Sequence, residues 1–155
     1  MLSFLRKLLY VLIQWTWGIL QTLVGFIVFL LNIGCHHYLY HGSVVTVWNS
    51  LSSVSLGMFL FVAKGSETML SRSGRIVPTA ESGLVVHEYG HTIQSLVLGP
   101  LYFPVIGLPS VLWANLPRCR NKRINGVPYA AFWTEKSANR LGELATGEKS
   151  FGDQY

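Results

Sequence analysis

The sequence predicts an α+β protein. It reads as an N-terminal membrane helix, a β-hairpin, a helix carrying two histidines one turn apart, and a C-terminal helix carrying Glu135 and Asn139. Three observations predict this. Residues 8–31 are almost wholly apolar. Residues 44–62 hold two β-branched and aromatic runs around a Ser/Asn cluster. Residues 82–98 form a helical run, closed by Gly99-Pro100, that contains His-Glu-x-x-His. At 155 residues the chain has room for one domain of ordinary size.

Composition narrows the class. Half of the residues are hydrophobic and only 12% are charged, against roughly 25% charged in an average soluble domain. That much apolar material excludes intrinsic disorder. Two cysteines, Cys35 and Cys119, exclude a disulfide scaffold and do not set a redox compartment. The net charge is +5, from 12 Lys and Arg against 7 Asp and Glu. With so few charges, this suits an anionic membrane surface better than nucleic acid, and no nucleic-acid partner is expected.

After Arg6 and Lys7 no charged residue occurs until Lys64. Within that gap, residues 8–31 exceed the roughly 20 residues that span a hydrocarbon core. Tyr10, Trp15 and Trp17 are aromatics of the membrane-interface kind. Gln14, Gln21 and Thr22 are expected to face a partner helix or the rest of the protein. The run is too long for a signal peptide, so residues 1–35 are expected to be a membrane helix and residues 36–155 a small domain. A buried core helix is the bland alternative. Arg6 and Lys7 favour a cytoplasmic N-terminus, which puts the domain outside after one crossing and inside after two.

Residues 44–48 and 54–62 have strand propensity around the Ser/Asn cluster, which reads as a hairpin. A second crossing over residues 44–63, giving a mostly α protein with two membrane helices, is the alternative. Residues 64–78 are rich in Gly and Ser and read as a loop. A helix follows from Thr79 or Ser82 to Leu98, ended by Gly99. Residues 100–117 contain Pro100, Pro104, Pro109 and Pro117 and are expected to be irregular, as a buried loop or a shallow re-entrant segment. Residues 118–123 read as a basic loop facing solvent or lipid. A last helix is expected over residues 129–144, followed by a polar tail.

The chemistry centres on His87-Glu88-Tyr89-Gly90-His91. Residues four apart share a helical face, so His87 and His91 can bind one metal ion. Glu88, beside the first ligand, is placed to take a proton from a zinc-activated water. The bland reading is two structural histidines. A catalytic zinc needs a third protein ligand. Glu135 is the candidate, because Asn139, four residues on, can accept from the free ring N–H of a ligand histidine and fix its tautomer. Glu81 and Glu143 are weaker candidates. His36, His37 and His41 lack a carboxylate nearby and read as interfacial histidines beside Tyr38 and Tyr40.

This pattern, H-E-x-x-H followed on a later helix by Glu135 and Asn139, resembles the gluzincin zinc peptidases of the thermolysin type. The resemblance implies that His87, His91 and Glu135 hold Zn2+, that Glu88 is the general base, and that Asn139 stands where the family has an aspartate. Tyr129, six residues before Glu135, is a candidate to steady the oxyanion. The chain also resembles a family of small membrane-associated bacterial proteins of unclear biochemistry. That likeness runs over residues 55–140 and rests on Ser55-Leu56-Gly57, His91-Thr92-Ile93-Gln94-Ser95, Gly99-Pro100-Leu101-Tyr102, Gly107-Leu108-Pro109-Ser110 and Phe132-Trp133-Thr134-Glu135-Lys136. A likeness to the site-2 intramembrane proteases is weaker. They take a third ligand from an aspartate in a later membrane helix, and the only Asp here is Asp153.

The expectation is a membrane-bound zinc metallopeptidase acting on peptides or proteins at a bacterial cell membrane, in contact with lipid. A partner membrane protein would supply the second wall of its cleft. The alternative is a non-catalytic membrane component held together by a structural metal or a His/Glu cluster.

Overall fold

The computed structural model describes residues 2–50, 52–64 and 83–150. The expected loop over residues 65–78, the start of the motif helix before Gly83, Glu81, and Asp153 in the tail lie outside the described residues.

The chain opens with two helices where one was expected. Helix α1 (Leu2–Thr16) and helix α2 (Ile19–Leu31) meet at Trp17-Gly18 and bend by 96°. Glycine is a poor helix former, and the Thr16 hydroxyl bonds back to Leu12 O at 2.7 Å, a contact that loosens a helix end. The bend has a polar cause as well. Gln14, Gln21 and Thr22 are fully buried. Gln14 Nε2 donates to Thr92 O (3.1 Å), and Gln21 Nε2 donates to Ser95 Oγ (2.8 Å) and Gly99 O (3.0 Å). The elbow brings amides from both helices onto one stretch of the motif helix. Among the described residues, no single helix is long and apolar enough to cross a membrane.

Four strands follow: β1 (His36–Tyr40), β2 (Ser43–Trp48), β3 (Val54–Leu56) and β4 (Phe59–Ala63). Their order is β1-β2-β4-β3. The expected hairpin between residues 44–48 and 54–62 is not formed. β2 and β4 run parallel, with Val44 opposite Phe59, because residues 54–56 turn back at Gly57-Met58 to make a separate edge strand. The tight turn is instead between β1 and β2, where His41 (φ 50°) and Gly42 (φ 101°) both take positive φ, as a two-residue hairpin turn requires. The sheet also replaces the alternative of a second membrane helix over residues 44–63. Central strand β4 is buried over Phe59, Leu60, Phe61 and Val62, and Tyr10, Val85 and Tyr89 join these in the core.

Helix α3 (Gly83–Leu98) carries the histidine motif and ends at Gly99 (φ 52°). The stretch expected to be irregular is helical: a 3-10 turn (Gly99–Leu101), a π turn (Phe103–Gly107) and helix α4 (Leu108–Asn115). The expected basic loop is helix α5 (Pro117–Ile124). Each of the four prolines sits in the first turn of its segment, where its missing N–H has no helical partner to lose. A 3-10 turn (Tyr129–Ala131) precedes helix α6 (Trp133–Thr146), which Gly147 closes.

α3 and α6 approach backbone to backbone. A Cβ on Gly90 would stand 1.8 Å from Ala138 O, and one on Gly142 would stand 2.1 Å from Val86 O. This contact puts residues 87 and 91 of one helix against residues 135 and 139 of the other.

Candidate metal centre

His87, His91 and Glu135 converge as the spacing predicts. One carboxylate oxygen, Glu135 Oε2, lies 3.2 Å from His87 Nε2 and 3.5 Å from His91 Nε2. All three side chains are buried, and their facing atoms lie within 4.8 Å of one another. Among the described residues this is the one group of His, Cys, Asp or Glu so gathered.

The outer faces of the ligands are fixed. His87 Nδ1 lies 2.7 Å from Asn139 Oδ1, and His91 Nδ1 lies 2.7 Å from Gln94 Oε1. Both amide oxygens accept, so each Nδ1 carries a hydrogen. Each Nε2 faces Glu135 Oε2, where it donates when the ring is protonated and has a lone pair for a metal when the ring is neutral. Gln94 is itself oriented, because its Nε2 donates to Thr134 O (2.9 Å) and Ser137 Oγ (2.6 Å). The second Glu135 oxygen, Oε1, accepts from Thr134 Oγ1 (2.9 Å) and from Ser110 Oγ. Burial would raise the Glu135 carboxyl. The hydrogen bonds from His87 and His91 outweigh it and hold the group well below the usual carboxylate range. Burial would likewise lower His91, but its bond to Glu135 and the nearby Glu135 and Glu88 charges raise it. Two nitrogens and one oxygen facing one point, with their other polar atoms engaged, could hold a metal ion.

Glu88 is buried beside this group. The Ser55 hydroxyl lies 2.7 Å from both the Glu88 main-chain oxygen and Oε2, and its one proton serves one of them at a time. Tyr129 comes near as well. Burial, then the Glu135 and Glu88 carboxylates, push its hydroxyl above the ordinary tyrosine value. Tyr102 shares that environment: burial raises its hydroxyl, followed by Glu88 and then Glu135.

Five neighbours of the site carried no assigned role in the sequence: Ser55, Gln94, Tyr102, Ser110 and Thr134. Each lies inside one of the short sequence pieces quoted above, so the signal was present without a partner to give it meaning. The weaker ligand candidate Glu143 is elsewhere, accepting from Ser150. His37 sits between Thr46 Oγ1 (3.0 Å) and Ile33 O (3.2 Å), and His41 lies 3.7 Å from Glu148. Cys35 and Cys119 are both free thiols.

No protein family, curated protein or solved structure matches the chain.

Proposed function

We propose that the chain is a membrane-bound zinc metallopeptidase. The convergence of His87 Nε2, His91 Nε2 and Glu135 Oε2 carries the reading. These three residues would hold the ion. Zinc bound by three protein ligands polarises a carbonyl and brings a water's pKa to about 7. Glu88 would take the proton of the attacking water and hand it to the leaving amine, with the Ser55 hydroxyl holding the carboxylate in place. Tyr129, whose hydroxyl lies in the field of the Glu135 and Glu88 carboxylates, would donate to the developing oxyanion. Asn139 and Gln94 would keep both imidazoles in the metal-binding tautomer.

Association with a bacterial cell membrane is supported by an inverted burial pattern. In α1 and α2 the amides of Gln14 and Gln21 face inward, while Leu8, Leu12, Leu20, Leu23 and Ile27 are exposed. Water disfavours that arrangement and hydrocarbon favours it. Lipid is therefore a proposed partner, and peptide or protein the proposed substrate.

One observation favours a non-catalytic second reading. His87, Glu88, His91 and Glu135 are each 7% exposed or less, as suits a structural metal. Metal analysis of the purified chain, paired with peptide cleavage, separates the two. The peptidase reading expects about one zinc per chain, lost in His87→Ala, together with hydrolysis that Glu88→Gln removes. Zinc without hydrolysis of any peptide pool supports the structural reading. Absence of metal sinks the peptidase and the structural metal alike and leaves a hydrogen-bonded His/Glu cluster.

A further inference from the structure

Helix α5 has no buried residue. Eight residues are too few for a helix to be stable alone in water, and a helix with no buried face gains nothing from packing. One side chain ties it down. Arg123 donates to Ala114 O at 2.7 Å and lies over the rings of Trp113 (5.7 Å) and Tyr129 (5.4 Å). The other three cations, Arg118, Arg120 and Lys122, are exposed. Among the described residues none of the three has an acidic partner, and the sequence holds no Asp or Glu between Glu88 and Glu135. Beside them α4 exposes Leu108, Val111 and Leu112, and Leu116 in the link to α5 is exposed too.

Water suits the cations and not the leucines. A neutral bilayer suits the leucines and leaves the cations without counter-charge. An anionic bilayer suits both, with acyl chains against the apolar row and phosphates against the basic one. We propose that the α4–α5 hairpin docks on anionic phospholipid, with Arg118, Arg120 and Lys122 on headgroup phosphates and Leu108, Val111 and Leu112 in the acyl layer. This rests on the membrane-bound reading and adds the lipid class and the part of the surface that meets it. The docked segment also touches the candidate site, through Ser110 on Glu135 and Arg123 on Tyr129.

Cys119 lies within the basic row, so Cys35→Ser leaves one thiol for an environment-sensitive fluorophore on the full chain. The labelled protein is mixed with vesicles of phosphatidylcholine alone or with added phosphatidylglycerol. Flotation reads membrane binding, and emission reads the surroundings of α5. The expected result is flotation with both vesicles and a blue shift that needs phosphatidylglycerol. Raising salt to about 1 M, where the screening length is about 3 Å, should reverse the shift. The triple change Arg118→Gln, Arg120→Gln, Lys122→Gln alters exposed side chains only, so it should keep the fold and lose the shift. Equal emission in both vesicles, or a triple variant that shifts like its parent, overturns the docking proposal while flotation leaves the membrane reading standing. No flotation with either vesicle sinks both. A shift caused by soluble polyglutamate and not by phosphatidylglycerol would assign the surface to an acidic protein and overturn the proposal.

Discussion

Across the contact between α3 and α6, the side-chain oxygen of Asn139 lies 2.7 Å from Nδ1 of His87. An amide accepts this bond without the negative charge that would make the imidazole a stronger donor to a metal. Asn139→Asp should therefore bind zinc as tightly as the parent or more tightly. Asn139→Leu frees the ring and should weaken binding by about 10–100-fold. Chelator competition on the three proteins checks the order, and equal affinity in Asn139→Leu would remove Asn139 from the metal centre.

Glu88 accepts from Ser55, and it is not one of the three residues whose ligand atoms converge. Glu88→Gln should leave the zinc content unchanged and lower peptide cleavage by about 10²–10⁴-fold, the usual contribution of a positioned general base. Loss of zinc in this variant would make Glu88 a ligand and break the assigned mechanism.

Ser110 and Thr134 both hold Glu135 Oε1, which leaves Oε2 facing His87 and His91. Ser110→Ala should let the carboxylate swing and weaken zinc by about 10–100-fold, and Ser110→Thr should restore most of it. With cobalt in place of zinc, the visible spectrum of Ser110→Ala should differ from that of the parent. An unchanged spectrum and affinity would refute a role for Ser110 in orienting Glu135.

Gly90 has no room for a methyl group, since a Cβ would meet Ala138 O at 1.8 Å, whereas Gly34 has nothing within 4 Å. Gly90→Ala must push α3 and α6 apart. It should cost about 1–3 kcal/mol and reduce metal content, while Gly34→Ala should change neither. Thermal unfolding in detergent with zinc analysis tests the pair.

Gln14 joins α1 to α3 through Thr92 O and Ser95. Gln14→Leu removes the buried acceptor of the Ser95 hydroxyl and the donor to Thr92 O, and should destabilise the protein by about 1–3 kcal/mol. Leu12→Gln, on the exposed face, should cost far less in detergent. If Gln14→Leu unfolds at the parent temperature, the buried amide contributes nothing to the elbow.

The convergence of His87, His91 and Glu135 was legible because helical spacing is local. His87, His91, Glu135 and Asn139 each follow from a four-residue period, and the structure joins the two pairs. The strand run at residues 59–63 was legible for the same reason. What failed was long-range. Nothing local tells that residues 54–56 turn back and leave β2 and β4 parallel. Four prolines in residues 100–117 looked like breaks, but each begins a helical segment. The apolar run of residues 8–31 looked like one helix. Its glutamines do face the rest of the protein, as expected, but the bend at Trp17-Gly18 depends on acceptors in α3 that no local pattern shows.

The partners of those glutamines come late in the chain. Gln14 waits for Thr92, 78 residues downstream, and Gln21 for Ser95, 74 residues downstream. At roughly 5–20 residues per second, a ribosome needs about 4–16 s to supply them. During that interval two amides sit in an apolar segment with no protein acceptor. Helices α1 and α2 thus leave the ribosome well before the helix that completes them, and a newborn chain stalled before residue 92 offers its handlers an incomplete, sticky elbow.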